Sequence, residues 1–450
     1  MVLGSVFSKY VYAHHVQDRR NPEPGKGTNV IQKICTVFVL SMIAGTATAQ
    51  ETELKELQAR AKAAPRDAEV QAKLGHAYLA AGHWNRAERQ LKATARLRRN
   101  SPEAVFDVIR VKLAKGDYRA SRAACFKFSK DHPDSPLGDI CMARAFLVWR
   151  RTSLALPFLE KALQKDARHL EALLALGDAY RIRGQRDKSE RAYRRALAVA
   201  PDDARIHLGL GRLYTVFQAP DRAREALRTA LSKNPTSPEI QLELARLESG
   251  AERRKLLQQA VAGRPKWDDA IVLLAESLLL GGEAGEAEKL AAAVLKKAGK
   301  RALAHSVLGR ARLALGDPKG AERALARALQ LVPNDYEAAL ALGAVYGETE
   351  RPDEALEQYR KTADLDPKDT RSLLAAARLA IELQRRTVAA GFLQRALARN
   401  PNDAVVLCLF GEVTASRGDK VKAREYYQRA LKGKGEIDRD KVKQALQQLR

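Results

Sequence analysis

The sequence predicts an all-α fold built from antiparallel helix pairs. A small-residue pattern recurs every 34 residues, and within each copy the apolar residues lie three or four positions apart, as they do along one face of a helix. A proline closes most copies, at a point where its ring cannot continue the second helix. Each copy is therefore predicted to form two helices of about three turns, and the copies are predicted to stack in series.

The clearest copies carry the same marks in the same order. Each has Leu-Gly in its first helix, as at Leu176 and Gly177, with a small residue twelve positions after the glycine. A bulky residue follows four positions later and a small one three after that, here Tyr193 and Ala196. Glycine or alanine is typical where two helix backbones approach closely. The closing prolines of the four clearest copies are Pro201, Pro235, Pro333 and Pro367.

This pattern resembles the tetratricopeptide repeat family. The resemblance implies a right-handed superhelical solenoid of antiparallel helix pairs, in which first helices line a concave groove and second helices form the outer wall. The same marks place eleven repeats over residues 68–435, starting near residues 68, 102, 136, 170, 204, 238, 268, 302, 336, 370 and 404. The step from 238 to 268 is four residues short, so the first helix of that repeat, or its turn near residues 248–251, is expected to be trimmed.

Two shorter segments are predicted to cover the ends of the array. Residues 50–67 are expected to hold an N-terminal capping helix that ends at Pro65. Residues 436–450 form a polar sequence with a narrow apolar stripe, which gives a C-terminal capping helix one face to dock and one to solvate. No linker-like stretch interrupts the chain after Ala68, so one elongated domain is expected.

Residues 1–49 are predicted to be a leader and signal peptide. Residues 34–44 are an apolar run preceded by Lys33, and Ala47-Thr48-Ala49 has the small-x-small form of a cleavage site. Cleavage there predicts a periplasmic or secreted protein. The alternative is an inner-membrane anchor, which needs roughly 20 apolar residues.

The charge balance favours an anionic partner. The chain carries 79 Lys and Arg against 54 Asp and Glu, a formal net charge of +25. Resemblance to exported bacterial repeat proteins implies a non-catalytic scaffold of the cell envelope, with a role such as exopolysaccharide export or outer-membrane assembly. The partner expected in the concave groove is anionic or mixed apolar-acidic: an acidic protein, or else an anionic polysaccharide. The alternatives are a cytosolic or membrane-anchored adaptor, which would make nucleic acid a candidate partner, and the helical subunit of an enzyme complex.

The inner wall is predicted to be rich in arginine. In the family, the residue after the small mid-helix position points into the groove, and arginine suits carboxylate or phosphate there because its fork donates two parallel hydrogen bonds. The arginines at these positions are Arg110, Arg144, Arg212, Arg246, Arg310 and Arg378. Apolar residues one turn earlier are expected to form the groove floor, among them Phe106, Leu208 and Leu242. Alternatively, the arginines pair with acidic residues at the starts of neighbouring first helices, such as Glu103, Glu171, Glu239 and Glu337.

No residue set predicts catalysis, a cofactor or a metal. The histidines after the leader are far apart in the array, except His76 and His83, which are seven positions apart. No carboxylate or cysteine joins those two at a ligand spacing. Cys125 and Cys141 fall on helices that are neighbours in the family. They either form a disulfide in an oxidising compartment or remain two small core hydrophobes, and Cys408 stands alone.

Overall fold

The computed structural model describes residue 52 and residues 54–449. Over this part of the chain the backbone forms helices and short turns, with no β-strand, so the predicted all-α fold is confirmed. The predicted leader and signal peptide lie outside the described residues. None of the helices described is long and apolar enough to cross a membrane.

A single helix, α1, covers residues 54–63, and helix pairs follow it. The first helices of the pairs are α2 (Ala68–Ala80), α4 (Pro102–Ala114), α6 (Pro136–Val148), α8 (Leu170–Ile182), α10 (Ala204–Val216), α12 (Pro238–Ala245), α14 (Asp268–Leu280), α16 (Ala302–Ala314), α18 (Tyr336–Glu348), α20 (Arg371–Glu382) and α22 (Ala404–Ser416). The second helices are α3 (Trp84–Leu97), α5 (Tyr118–Asp131), α7 (Thr152–Lys165), α9 (Arg186–Val199), α11 (Pro220–Lys233), α13 (Gly250–Gly263), α15 (Ala284–Lys297), α17 (Pro318–Leu331), α19 (Pro352–Leu365), α21 (Arg386–Arg399) and α23 (Lys420–Lys432). The final helix is α24 (Arg439–Gln448).

Contacts divide the described chain into two compact units. The first unit contains the described residues up to Leu274, and the second begins at Ala275. The division falls inside α14 and not in a linker. A single elongated domain was the expectation from sequence. In a repeat array each pair packs mainly against its neighbours, so no central core holds all the pairs together.

N-caps fix where many first helices begin. Asp67 accepts hydrogen bonds from the backbone N–H groups of Glu69 and Val70, which satisfies donors that have no partner inside the helix. A side chain in the same place before a first helix makes the same kind of bond at Ser101, Ser135, Asp203, Asp335 and Asp403. The 34-residue period therefore places a helix start as well as an apolar stripe.

A bulky residue of the second helix locks each pair to the next. In the fourth pair this residue is Tyr193, which is fully buried. A Cβ atom added at Gly177 of the same pair, or at Gly209 of the next pair, would lie 2.5 Å from Tyr193 Cε1. The tyrosine ring thus lies against two helix backbones. Its hydroxyl donates to Asp178 Oδ1 at 3.1 Å.

The second pair replaces this packing contact by a covalent bond. Cys125 occupies the position that Tyr193 has in the fourth pair, and Cys141 occupies the position of Gly209. The structure joins the two cysteines in a disulfide with a Cα–Cα distance of 5.3 Å, and both side chains are fully buried. Of the two alternatives open from sequence, the structure therefore has the disulfide.

The sixth pair has a shortened first helix. α12 contains only eight residues, ends at Ala245 and is capped by Arg246. The turn that follows leads to Gly250, whose φ of 58° is in the left-handed region that favours glycine. The trimming expected near this step therefore lies in α12 itself.

The terminal helices pack on the pairs next to them. In α1, Leu54, Leu57 and Ala61 join the apolar cluster of the first pair. In α24, Val442 is buried against Ala423 and Tyr427 of the last pair, with Leu446 and Leu449 beside it.

Candidate functional site

A groove of about 870 Å³ lies within the first unit. Side chains from α1 and from the first helices of all six pairs of this unit contribute to its wall, together with Trp84 and Arg264. This volume is within the range of about 300–1,000 Å³ that small binding pockets occupy.

One row of groove residues repeats every 34 positions at the middle of the first helices. We call it the central row, and it consists of His76, Arg110, Arg144, Asp178 and Arg212. Three of the arginines named from sequence therefore lie in one row on the groove wall, with Asp178 between Arg144 and Arg212. Arg181 and Arg205 also line the groove and extend the basic surface.

A second row lies one turn further along the same helices and is apolar. We call Leu79, Leu113 and Leu147 the apolar row; each follows a member of the central row by three positions, so the two share a helix face. Ala80, Ala114, Val148 and Ile182 lie beside it. Sequence reasoning missed this row, although its spacing from the central row was available as a signal.

The apolar floor predicted from sequence was wrong. Phe106, Leu208 and Leu242 are only 4%, 7% and 2% exposed and do not line the groove. Phe106, for example, packs against Phe128, with ring centroids 6.3 Å apart, inside the helix layer. A first helix has packed neighbours on both sides, so only a narrow stripe of its surface faces the groove. Residues one turn N-terminal to the central row face those neighbours.

The other three arginines named from sequence lie elsewhere. Arg246 is half-exposed at the end of the shortened α12 and does not line the groove, because the helix stops before it. Arg310, in the second unit, is only 4% exposed, and its guanidinium lies 3.8 Å from both Glu276 and Glu337. Arg378, also in the second unit, is partly buried in α20.

Sequence comparison decides the family. The family model described as "Tetratricopeptide repeat" matches residues 72–136, 174–238, 307–370 and 374–437, which together make up more than half of the chain. The chain belongs to the tetratricopeptide repeat (TPR) family. TPR domains are protein-interaction scaffolds and are generally non-catalytic, so protein is the coarse class of partner for this chain.

Solved structures similar to this TPR chain share little sequence with it. Yeast Tom70 is 12% identical with a TM-score of 0.40, and the match covers 86% of this chain and 96% of that one. The APC/C hetero-tetramer Cut9-Hcn1 is 15% identical with a TM-score of 0.40, covering 85% of this chain and 83% of that one. No curated protein matches the chain.

Ion pairs hold the arginines of the TPR groove in place. Arg144 donates to Glu171 Oε2 at 2.5 Å, and Arg205 contacts the other oxygen of the same carboxylate. Arg212 Nε lies 2.8 Å from Glu243 Oε1, and its Nη2 is 4.0 Å from Glu239. Internal pairing with acidic residues of the next first helix is therefore present at Arg144 and Arg212. Pairing and exposure to the groove coexist at these two residues.

Guanidinium groups outnumber carboxylates on the wall of the TPR groove. Burial acts to raise the pKa of Glu171, but the guanidinium groups of Arg144, Arg205 and Arg110 outweigh it and lower this pKa to about 2. The groove wall itself carries two carboxylates, Asp178 and Glu239. Against them stand the guanidinium groups of Arg110, Arg144, Arg181, Arg205, Arg212 and Arg264. Glu171, Asp203 and Glu243 pair with Arg144, Arg205 and Arg212, so the excess of positive charge is confined to the groove surface.

The described residues contain no group of three or more His, Cys, Asp or Glu side chains placed to hold a metal ion. His76 Nε2 lies 3.0 Å from Asp107 Oδ2, and Arg110 contacts the other oxygen of Asp107 at 3.2 Å. The histidine of the central row thus contacts the same carboxylate as Arg110.

Proposed function

We propose that this protein is a non-catalytic scaffold that binds an extended acidic and apolar segment of a partner protein in the groove of its first unit. The observation that carries the proposal is the pair of parallel rows on one wall, the central row of charged residues and the apolar row one turn away. The sequence favours an anionic or mixed apolar-acidic partner, and the two rows offer a surface for each part of a mixed one.

The geometry of the rows suits an extended chain. Each row crosses successive first helices, and one helical turn of about 5.4 Å separates the rows. Successive side chains of an extended chain point to opposite sides. A segment that lies along the groove can therefore direct its carboxylates to the central row and its apolar side chains to the apolar row.

The ion pairs prepare the groove for such a ligand. Glu171 holds Arg144 and Arg205 together, so their long side chains lose less conformational freedom when a ligand binds. Arg144 Nε is buried and has no hydrogen-bond acceptor among the described residues. An incoming carboxylate competes with the internal partners, so we expect binding that weakens with salt, since screening shortens from about 10 Å at 0.1 M to about 3 Å at 1 M.

A triple substitution in the central row tests the proposal. Arg110→Gln, Arg144→Gln and Arg212→Gln together are expected to weaken binding of a fluorescent peptide of alternating Glu and Leu at least tenfold, about 1.4 kcal/mol, because three charge-assisted donors are removed. Fluorescence anisotropy measures the affinity, and circular dichroism checks that the helix content is unchanged.

The matched control removes three positive charges from the outer wall. Arg191, Arg323 and Arg424 are exposed on the second helices α9, α17 and α23. Their replacement by Gln should leave peptide affinity within about twofold, less than 0.5 kcal/mol. Equal loss in the two triple variants would show that net charge alone attracts the peptide, and the groove assignment would then be abandoned.

The apolar row distinguishes a protein partner from an anionic polysaccharide. Leu113→Asn with Leu147→Asn should weaken binding of the Glu–Leu peptide and leave binding of a polyuronate unchanged, because a sugar acid has no apolar side chains to place there.

We further propose that the protein works in the cell envelope, in machinery such as exopolysaccharide export or outer-membrane assembly. The apolar run at residues 34–44 and the small residues Ala47 and Ala49 support export. A buried disulfide between Cys125 and Cys141 also supports it, because disulfides persist in oxidising compartments. A cytosolic or membrane-anchored adaptor is the alternative proposal.

Cell fractionation separates these locations. We expect the protein in the periplasm or medium, with Gln50 as its N-terminal residue by sequencing. A full-length protein found in the cytoplasm with Cys125 and Cys141 open to alkylation would contradict export, and a full-length protein in the membrane fraction would favour the anchored form.

A further inference from the structure

The first unit closes on itself through a contact between its first and sixth helix pairs. Arg264, which follows α13 of the sixth pair, lies with its Cζ 4.9 Å from the ring centroid of Trp84 and 4.8 Å from that of Trp267. Trp84 is the first residue of α3 in the first pair. We call these three residues the clasp. It joins two parts of the chain that are 180 positions apart in sequence.

The clasp completes the wall of the groove. Trp84 and Arg264 both line the groove, and between them the wall is formed by residues of each of the six pairs. Without this contact, the groove would be open along one side to a partner of any width. With it, the clasp bounds that side of the groove.

The clasp is a weak closure compared with the contacts inside each pair. Its three side chains are only partly buried, whereas residues such as Tyr193 and Leu227 within the pairs are fully buried. Cation–π contacts of this kind contribute little at exposed sites and more only when they are desolvated. The first and sixth pairs can therefore separate here without any disruption of a helix-pair core.

Like charges also face each other across the clasp. Arg86 stands on the side of the first pair and Lys266 on the side of the sixth, and His83 lies near both. Burial of His83 lowers its pKa, and the two basic residues lower it further. Positive groups from both sides thus oppose closure and favour a ligand with negative charge.

We infer that the clasp is a gate on the binding groove, and that the groove admits a narrow extended acidic chain through a free end while excluding a folded surface unless the gate opens. The inference rests on the proposed function for the identity of the ligand. The gate itself rests on the contacts of Arg264 with the two tryptophans.

Association kinetics of two probes test the gate. One probe is a fluorescent twelve-residue peptide of alternating Glu and Leu with free ends, and the other is the same peptide with a folded domain attached at each end. In the unmodified protein we expect the free-ended probe to associate at least tenfold faster. In Arg264→Ala, which removes the stack from both tryptophans, we expect the two rates to agree within about threefold, because the groove is then open along its side.

The chain offers a matched control. Arg151 lies 5.1 Å from the ring centroid of Trp149, a cation–π contact of the same kind away from the groove. Arg151→Ala should leave the tenfold ratio of the two rates unchanged. Equal association rates for the two probes in the unmodified protein would overturn the inference, and so would an unchanged ratio in Arg264→Ala.

A measurement without ligand separates the gate from the proposed function. Spin labels at positions 85 and 266, in a chain with Cys35 and Cys408 replaced by alanine, report the distance across the clasp. We expect a narrow distribution that becomes broader and longer in Arg264→Ala. If neither probe binds, the proposed function fails, and the gate is judged by this distance alone. A distribution that Arg264→Ala does not change would overturn the gate.

Discussion

Replacement of Gly177 by leucine is expected to lower the free energy of unfolding of the fourth pair by about 3 kcal/mol. A Cβ atom at this position would lie 2.5 Å from Tyr193 Cε1 and 2.6 Å from Cζ. The ring cannot move away, because the backbone at Gly209 confines it from the other side. The strain therefore exceeds the gain in helix propensity of about 1 kcal/mol that any glycine-to-leucine change brings.

Urea unfolding and hydrogen exchange over residues 170–233 measure this effect. The control is Gly391→Leu in α21, where no atom lies within 4 Å of an added Cβ, so the propensity gain acts alone and should stabilise the protein by about 0.5–1 kcal/mol. We expect Gly177→Leu to lower the free energy of unfolding and Gly391→Leu to raise it. If both variants lower stability equally, close packing at Gly177 is not what locks the pairs.

Removal of the disulfide is expected to have a comparable effect. With Cys125→Ala and Cys141→Ala together, we expect a loss of about 3 kcal/mol of unfolding free energy, the value for a closed loop of about 15 residues. The second pair should lose more than its neighbours, because the bond stands where other pairs have a bulky residue in contact with the next first helix. Reductant should produce the same loss in the unmodified protein and none in the double variant.

Cys408→Ala is the control, because it removes a cysteine without removing a disulfide bond. Cys408 is a free thiol beside α24, so its replacement should cause a small change that is the same with and without reductant. Mass spectrometry after alkylation in denaturant checks the bond directly. Alkylation of Cys125 and Cys141 without prior reduction would contradict the disulfide and the stability loss that follows from it.

The fold could be predicted because its signals are local and repeated. The contact of Gly177 with Tyr193, the cap at Asp203 and the proline at Pro201 act within one pair, and each recurs at the same period in other pairs. The sequence could not decide whether Cys125 and Cys141 form a disulfide, because adjacent helices do not determine whether two thiols point at each other.

The lining of the groove was predicted in part, because the repeat period fixes equivalent positions but not which of them stay uncovered. The period places Arg110, Arg144 and Arg212 at equivalent positions, and the structure puts them on one wall. The period does not determine which part of a first helix its neighbours leave uncovered. Phe106 and Leu113 are seven positions, about two turns, apart and so lie on nearly the same side of α4. Phe106 is nevertheless buried in the helix layer, and only the C-terminal part of that side lines the groove.

Whether an arginine at this repeat position is buried or exposed to the groove depends on its neighbours, and the position alone does not determine them. Arg310 meets two carboxylates and is buried, whereas Arg144 shares its carboxylate with Arg205 and stays open to the groove. The repeat pattern also could not predict the clasp. It depends on the accumulated curvature of six pairs, and Trp84 and Trp267 carry no periodic signal.

The two ends of the groove are chemically unequal. The apolar row stops at Leu147 of the third pair, Arg181 holds the equivalent position in the fourth, and the sixth pair offers Ser237, Pro238 and Glu239 to the groove. One end of the groove is therefore apolar, and the other carries hydroxyl and carboxylate groups. If an extended segment binds there, we expect one N-to-C direction to be preferred, because the reversed segment would place apolar side chains against the polar end.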